Sequence, residues 1–224
     1  MRMSHMFGRT LRDAPSDAQL ASHQLAVRAG LIRQLAQGIY SYLPLGWRVM
    51  RKLEDIIREE MDAIGGQELL MPVVQPAELW KRTGRYDAPA PGPNLLRFDD
   101  RFDHPMVLAM THEEVATELA RTEISSYRQL PLMTYHFQTK YRDEPRSRGG
   151  LVRVREFIMK DAYTYSATAE QLDEQYEAIY QAYLRIYRRC GLDVLPVQAA
   201  TGAMGGSASH EFMALNEQGE DTLL

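Results

Sequence analysis

The chain has 224 residues, of which 45% are hydrophobic and 25% charged, with a net charge of −4 and a single cysteine, Cys190. A chain of this length and balance buries one substantial core and is expected to form a single α+β domain over residues 1–224. The acidic balance excludes a bulk basic surface for nucleic acid, so RNA contact needs a local basic patch, and one cysteine excludes an internal disulfide and multi-thiolate zinc sites.

The opening segment lacks the apolar stretch of a secretory signal and no run approaches transmembrane length, so a cytoplasmic protein without a membrane partner is expected. Ser16 with Gln19 resembles a capping box and predicts a helix running towards Gln37. Between Trp47 and Ile64 the residues Val49, Met50, Leu53, Ile56, Ile57 and Met61 recur at helical spacing, and Gly65-Gly66 supplies the stop. A strand from Glu68 to Val74 is predicted next. Pro72 inside it cannot donate to a ladder, which places the strand at an edge or an interface.

Asp87 to Asn94 is rich in proline and reads as a surface loop. Met106 to Met110 is a short strand candidate, and Thr111 could cap a helix through Ile124 with His112, Glu113 and Glu114 in its first turn. Thr168 and Gln171 form another capping-box pattern. The helix behind them carries Leu172, Tyr176, Ile179, Tyr183, Ile186 and Cys190 on one stripe, closed by Gly191, so Cys190 is expected to pack inside.

The segment from Leu132 to Tyr165 reads as an antiparallel hairpin about a turn at Pro145 to Gly150. On the first strand Met133, Tyr135, Phe137, Thr139 and Tyr141 share one face, and His136, Gln138, Lys140 and Arg142 the other. On the second, Arg153, Arg155, Phe157, Met159, Asp161 and Tyr163 share a face. Pairing the strands brings Arg142, Arg153, Phe157 and Asp161 onto one surface suited to a nucleotide triphosphate, since arginine forks match phosphate oxygens and a phenyl ring stacks a base. A solvated face with scattered charge is the alternative.

Other nucleotide and metal signatures fail. His112-Glu113 and His210-Glu211 begin like the helical zinc motif, but Ala116 and Ala214 stand where the second histidine belongs. No Walker-type loop, dinucleotide fingerprint or nucleophile elbow occurs. If ATP binds, it binds on the sheet.

Tyr141-Arg142-Asp143-Glu144, a loop, and Arg153-Val154-Arg155-Glu156-Phe157 together resemble the second signature of class II aminoacyl-tRNA synthetases. Gly66 to Pro72 (GQELLMP) resembles the first, a helix followed by a strand with a proline at the dimer interface. Thr111-His112-Glu113-Glu114, Ser126 to Pro131, Arg155 to Tyr163, Gly30 to Arg33 and Tyr42 to Gly46 look like the bacterial type of prolyl-tRNA synthetase, and the likeness runs from about Phe7 to the last residue.

The resemblance implies an antiparallel sheet flanked by helices, a homodimer with Pro72 at its interface, and proline, ATP, Mg²⁺ and tRNA(Pro) as ligands. Arg142 would grip the α-phosphate and the proline carboxylate. Glu144 would accept from the adenine amino group, Phe157 would stack the adenine, and Arg153 would add a phosphate contact. Thr111 and Glu113 would receive the prolinium N–H donors, and Met159, Asp161 and Tyr163 would wall the pyrrolidine pocket. Arg146 and Arg148 would meet acceptor-stem phosphates, unless they are only exposed turn residues. Glu211 is a candidate magnesium ligand, with a structural strand residue as the alternative.

The resemblance covers the first and second signatures. The third signature, the editing insertion and the anticodon-binding domain of the family are not found in these residues, so activity of this chain by itself is expected to be weak or absent. The Gly-Pro that usually precedes Thr-x-Glu is replaced by Ala109-Met110. Two alternatives stand beside a synthetase fragment: a paralogue that binds proline or an adenylate without turnover, and a dimerising fold relic.

Overall fold

Alternation along a ten-residue strand organises the molecule. In the computed structural model, which describes residues 2–16, 18–88, 94–202, 205–217 and 219, the hairpin is formed by β7 (Leu132–Tyr141) and β8 (Glu156–Tyr165). They pair antiparallel from Leu132↔Tyr165 to Tyr141↔Glu156. Met133, Tyr135 and Phe137 turn one face of β7 towards the helices, and His136, Gln138 and Lys140 turn the other towards the site. The elements before them are α1 (Ala21–Arg28), β1 (Ile32–Ala36), β2 (Ile39–Tyr42), α2 (Pro44–Ala63), β3 (Gln67–Glu68), β4 (Val74–Pro76), α3 (Ala77–Arg82), β5 (Arg97–Asp99), β6 (Pro105–Leu108) and α4 (Glu113–Glu123). After them come α5 (Ala169–Arg189), β9 (Leu195–Gln198) and β10 (His210–Met213).

The expected α+β architecture of antiparallel sheets flanked by helices is present. β3 lies parallel to β7 in the sheet β3-β7-β8, while β4-β6-β5 and the hairpins β1-β2 and β9-β10 are antiparallel. One core lies between β7 and the helices, where Met61, Met133 and Tyr135 are buried and Ile57, Ile64 and Ile179 pack on them. Fully burying side chains of this size contributes about 1.5–3 kcal/mol each. A second core gathers Ala77, Trp80, Leu95, Val107 and Met110. The Trp80 indole donates to Gln75 Oε1 at 2.7 Å, so its polar end stays satisfied at full burial.

Several details depart from the expectations. The predicted helix towards Gln37 stops at Arg28, and residues 32–42 form the β1-β2 hairpin instead. Leu20 caps α1 without a side-chain hydrogen bond, so the Ser16–Gln19 pattern does not start it. The predicted Glu68–Val74 strand breaks at Pro72, where the chain leaves β7 and crosses to β6. The carbonyls freed by that crossing are satisfied: Gln138 Nε2 donates to Met71 O at 2.7 Å, His112 Nε2 lies 3.0 Å from Pro72 O, and the Ala109 N–H donates to Val73 O at 2.8 Å. His112, not Thr111, is the N-cap of α4, and Cys190 caps α5 half-buried rather than fully packed. At α5 the first half of the capping box forms, with Thr168 Oγ1 accepting from the Gln171 N–H, while the Gln171 side chain takes the Ala167 N–H instead of that of Thr168. Of the proline-rich stretch 87–94, residues 89–93 lie outside the described residues.

Candidate active site

The face of β7 and β8 away from the helices carries the polar side chains. Register sets Lys140 opposite Phe157, Gln138 opposite Met159 and His136 opposite Asp161. Just past β7, Arg142 places its guanidinium 5.4 Å from the centre of the Phe157 ring. Its Nε is buried with no hydrogen-bond partner among the described residues. Burial pushes the Arg142 pKa down, and the carboxylates of Glu113, Glu144 and Asp161 oppose that shift. A desolvated guanidinium with an unused donor favours an incoming anion.

The loop between the strands folds over this face. The Arg142 N–H donates to Arg155 O at 2.8 Å, and Arg148 and Arg153 form a backbone bridge. Arg153 Nε lies 3.3 Å from Glu144 Oε2, which ties the expected phosphate and adenine residues together. Arg153 and Arg155 precede β8, so the alternation predicted for them does not hold. Arg155 departs most, packing over the Tyr141 ring and pairing with Asp143. The β1-β2 turn clamps the loop, because Gly38 O accepts from the Arg155 N–H at 2.8 Å. Gly38 has φ 72°, and an added Cβ would lie 2.7 Å from Ser147 Cβ. A cleft of 780 Å³ opens beside this contact, bordered by His23, Tyr40, Ser147, Arg148 and Arg153. Arg146 and Arg148 are exposed on the same loop.

Thr111 and Glu113 stand at the start of α4. Thr111 Oγ1 donates to Glu113 Oε2 at 2.5 Å, and Arg85 Nη1 approaches the same oxygen at 3.2 Å. Glu114, nearly fully buried, takes Arg85 at 2.9 Å and the Thr83 hydroxyl at 3.0 Å. Glu113 is thus the partly exposed member of a held pair of carboxylates.

Beneath them lies a cluster that no motif announced. Lys140, 0% exposed, places Nζ 2.8 Å from Asp161 Oδ2 and 3.2 Å from His136 Nε2, and it contacts His112 Nδ1. Tyr163 donates to the same Asp161 oxygen. Burial pushes the Asp161 pKa up, but hydrogen bonds from His136, Lys140 and Tyr163 outweigh it and hold the carboxyl at about 2. Burial and the Lys140 charge lower the His112 pKa to about 4. Burial and the Asp161 carboxylate raise that of Tyr163. His112, His136 and Asp161 offer ligand atoms within 4.8 Å of one another, and among the described residues they are the group that could hold a metal ion. The Lys140 ammonium already lies among them. Glu211 is exposed on β10 opposite Val197 and belongs to no such group.

The expected site residues therefore divide. Around the loop Arg142 meets Phe157 and Arg153 meets Glu144, while beneath it Thr111 is bonded to Glu113 and Tyr163 to Asp161, with the His112 N–H donating to Tyr163 Oη. Pro72 is exposed at the crossing between sheets.

The sequence profile described as tRNA synthetase class II core domain (G, H, P, S and T) matches residues 96–222. A proline–tRNA ligase from Salinispora tropica is 57% identical over the whole chain, which covers 37% of that protein, and one from Pelotomaculum thermopropionicum is 55% identical, with 39% covered. The chain thus spans under two fifths of the length of these relatives. Among solved structures, Giardia lamblia prolyl-tRNA synthetase in complex with prolyl-adenylate superposes with a TM-score of 0.69 at 20% identity, over 75% of this chain and 35% of the other. The Cryptosporidium parvum enzyme complexed with L-proline and AMP gives 0.72 at 17%, over 84% and 39%. At such identities these two structures establish the shared fold.

Proposed function

Because the chain belongs to the class II tRNA synthetase core-domain family (G, H, P, S and T), we propose that it forms the substrate-activating part of a proline–tRNA ligase. The observation that carries this reading is the half-buried Arg142 guanidinium over Phe157, with a buried Nε that no described residue satisfies. The relatives' name and the ligands held by the two solved neighbours point to the same substrates.

In this reading Arg142 bridges the α-phosphate of ATP and the proline carboxylate. Phe157 stacks the adenine, Glu144 accepts from its amino group, and Arg153 adds a phosphate contact. Thr111 and Glu113 receive the two N–H donors of the prolinium nitrogen, with Met159, Asp161 and Tyr163 forming the pocket wall. The proline carboxylate oxygen attacks the α-phosphorus, the bond to the bridging oxygen breaks, and pyrophosphate leaves with prolyl-adenylate retained. No protein nucleophile takes part. The protein holds two anions in line and neutralises charge gathering on the phosphate. A tRNA(Pro) ribose hydroxyl then attacks the prolyl carbonyl, the acyl–phosphate bond breaks and AMP leaves with the proton lost by the hydroxyl, with Arg146 and Arg148 near acceptor-stem phosphates.

The His112–His136–Asp161 group encloses the Lys140 ammonium and so does not suit a magnesium ion, while Glu211, exposed on β10, would offer one carboxylate to an ion held mainly by ATP phosphates. We place a homodimer contact at the exposed apolar segment that carries Leu70, 75% exposed, Pro72 and Val74. A cytoplasmic setting accords with the single cysteine. Among the described residues, no helix is long and apolar enough to cross a membrane.

Titration of a non-hydrolysable prolyl-adenylate analogue tests the reading. Arg142→Ala is expected to lower affinity roughly a hundredfold, the scale of removing one charged partner worth about 3 kcal/mol. Its melting temperature should stay within about 2 °C, since the guanidinium contributes little to the fold. Unchanged affinity in the variant would remove Arg142 from the site.

A further inference from the structure

Lys140 does not reach solvent, so it cannot touch a substrate, yet its ammonium meets Asp161 and the ring of His112, which stands between Thr111 and Glu113. Its Nζ contacts Asp161 Oδ2, His136 Nε2 and His112 Nδ1, which come from β8, β7 and the turn before α4. His112 suits an acceptor role at Nδ1, because its Nε2 faces Pro72 O at 3.0 Å and serves as the donor there. The second Asp161 oxygen lies 2.9 Å from His136 Nε2. Taking an ammonium and a carboxylate out of water costs several kcal/mol per ion, and a well-packed apolar pair would serve the core as well. Stability alone therefore gives no reason for this arrangement.

The hydrogen bonds lead outward in one direction. Asp161 Oδ2 accepts from the Tyr163 hydroxyl. Tyr163 Oη accepts at 3.2 Å from the backbone N–H of His112, the residue between Thr111 and Glu113. Thr111 in turn donates to Glu113. The chain from Lys140 thus ends on the backbone between Thr111 and Glu113, the two residues that would receive a ring N–H₂⁺.

We propose that Lys140 is a positioning residue of the amino-acid pocket, a built-in ammonium that occupies the place a metal ion would take among His112, His136 and Asp161 and sets Thr111 and Glu113 through Asp161 and Tyr163. This rests on the proline-activating reading above. It makes the pocket's geometry depend on a charge that no ligand touches. It also separates the two substrates, because the adenine and phosphate contacts of Phe157, Glu144 and Arg153 do not run through this chain of hydrogen bonds.

The test uses the protein as the cell makes it, with proline and ATP titrated separately by calorimetry. In Lys140→Met, proline affinity should fall at least tenfold while ATP affinity changes less than twofold. The same variant leaves the Asp161 carboxylate buried without its cation and can fail to fold, so Lys140→Met combined with Asp161→Asn is measured beside it. That pair is charge-balanced and keeps the shape of residue 161. It should recover the wild-type melting temperature without recovering proline affinity. Wild-type proline affinity in either folded variant, or equal losses for proline and ATP, overturns the role of Lys140. Absence of proline binding by the wild-type protein overturns the functional reading itself, which keeps the two failures distinct.

Discussion

His112 shows how a single buried group links the site to solution conditions. Its pKa is about 4 in the folded chain against an ordinary value of 6.5. Between those values the unfolded chain binds a proton that the folded chain does not, so stability falls as pH falls from about 6.5 to about 4. The difference corresponds to on the order of 3 kcal/mol. Asp161 adds a separate loss lower down, since a carboxyl held at about 2 against 3.8 favours the fold above that window and ceases to do so as pH drops through it. Urea unfolding at several pH values should show the first slope, and His112→Gln, which keeps a donor towards Pro72, should flatten it. An unflattened slope would place the linkage elsewhere. At this scale the sequence was partly legible. Alternation put His136, Lys140 and Arg142 on one face and Phe157 and Asp161 on the facing strand. It did not reveal the cluster, because His112, His136, Lys140 and Asp161 obey no local spacing and meet only through strand register and the crossing at Pro72.

Among the elements, α2 and the β7-β8 hairpin were readable because one period ran through many residues. The β1-β2 hairpin was not. Residues 29–37 carry apolar groups that suit a helix, and the deciding features are backbone ones, Gly30 and Gly38 at φ 72°. The hairpin is also held from outside by α2. Gly46 lies in the first turn of that helix, where an added Cβ would fall 2.1 Å from Leu31 O. Gly46→Ala should therefore cost about 1–3 kcal/mol through overpacking, despite alanine's better helix propensity. Thermal denaturation checks this, and a gain in melting temperature would show that α2 can shift without penalty. The ion pairs of Glu59 and Glu60 with Arg185 and Arg189 join α2 to α5. Being at the surface, they add little next to the Met61 core between them.

For the whole molecule, net charge and local charge point in different directions. The chain carries −4 overall, yet its 142–155 loop presents Arg146 and Arg148 at the surface. If this loop meets tRNA phosphates, replacing both arginines by alanine should weaken binding about equally across tRNA sequences. The slope of log affinity against log salt should shrink by about 0.7–0.9 for each phosphate left without its arginine. Filter binding over a salt series reads this directly, and an unchanged slope removes the loop from the RNA interface. The buried indole of Trp80 has a practical consequence at the same scale. The Arg85 guanidinium lies 5.1 Å from its ring centre, and the same arginine reaches Glu113. A cationic ligand arriving at Glu113 would disturb that arginine and with it the emission of the indole. Trp47, 41% exposed, reports the solvent-facing side of the molecule instead. If Glu113 receives the amino acid as proposed, Trp80 is an optical gauge of pocket occupancy, and in Trp47→Phe the remaining fluorescence should shift when proline is added.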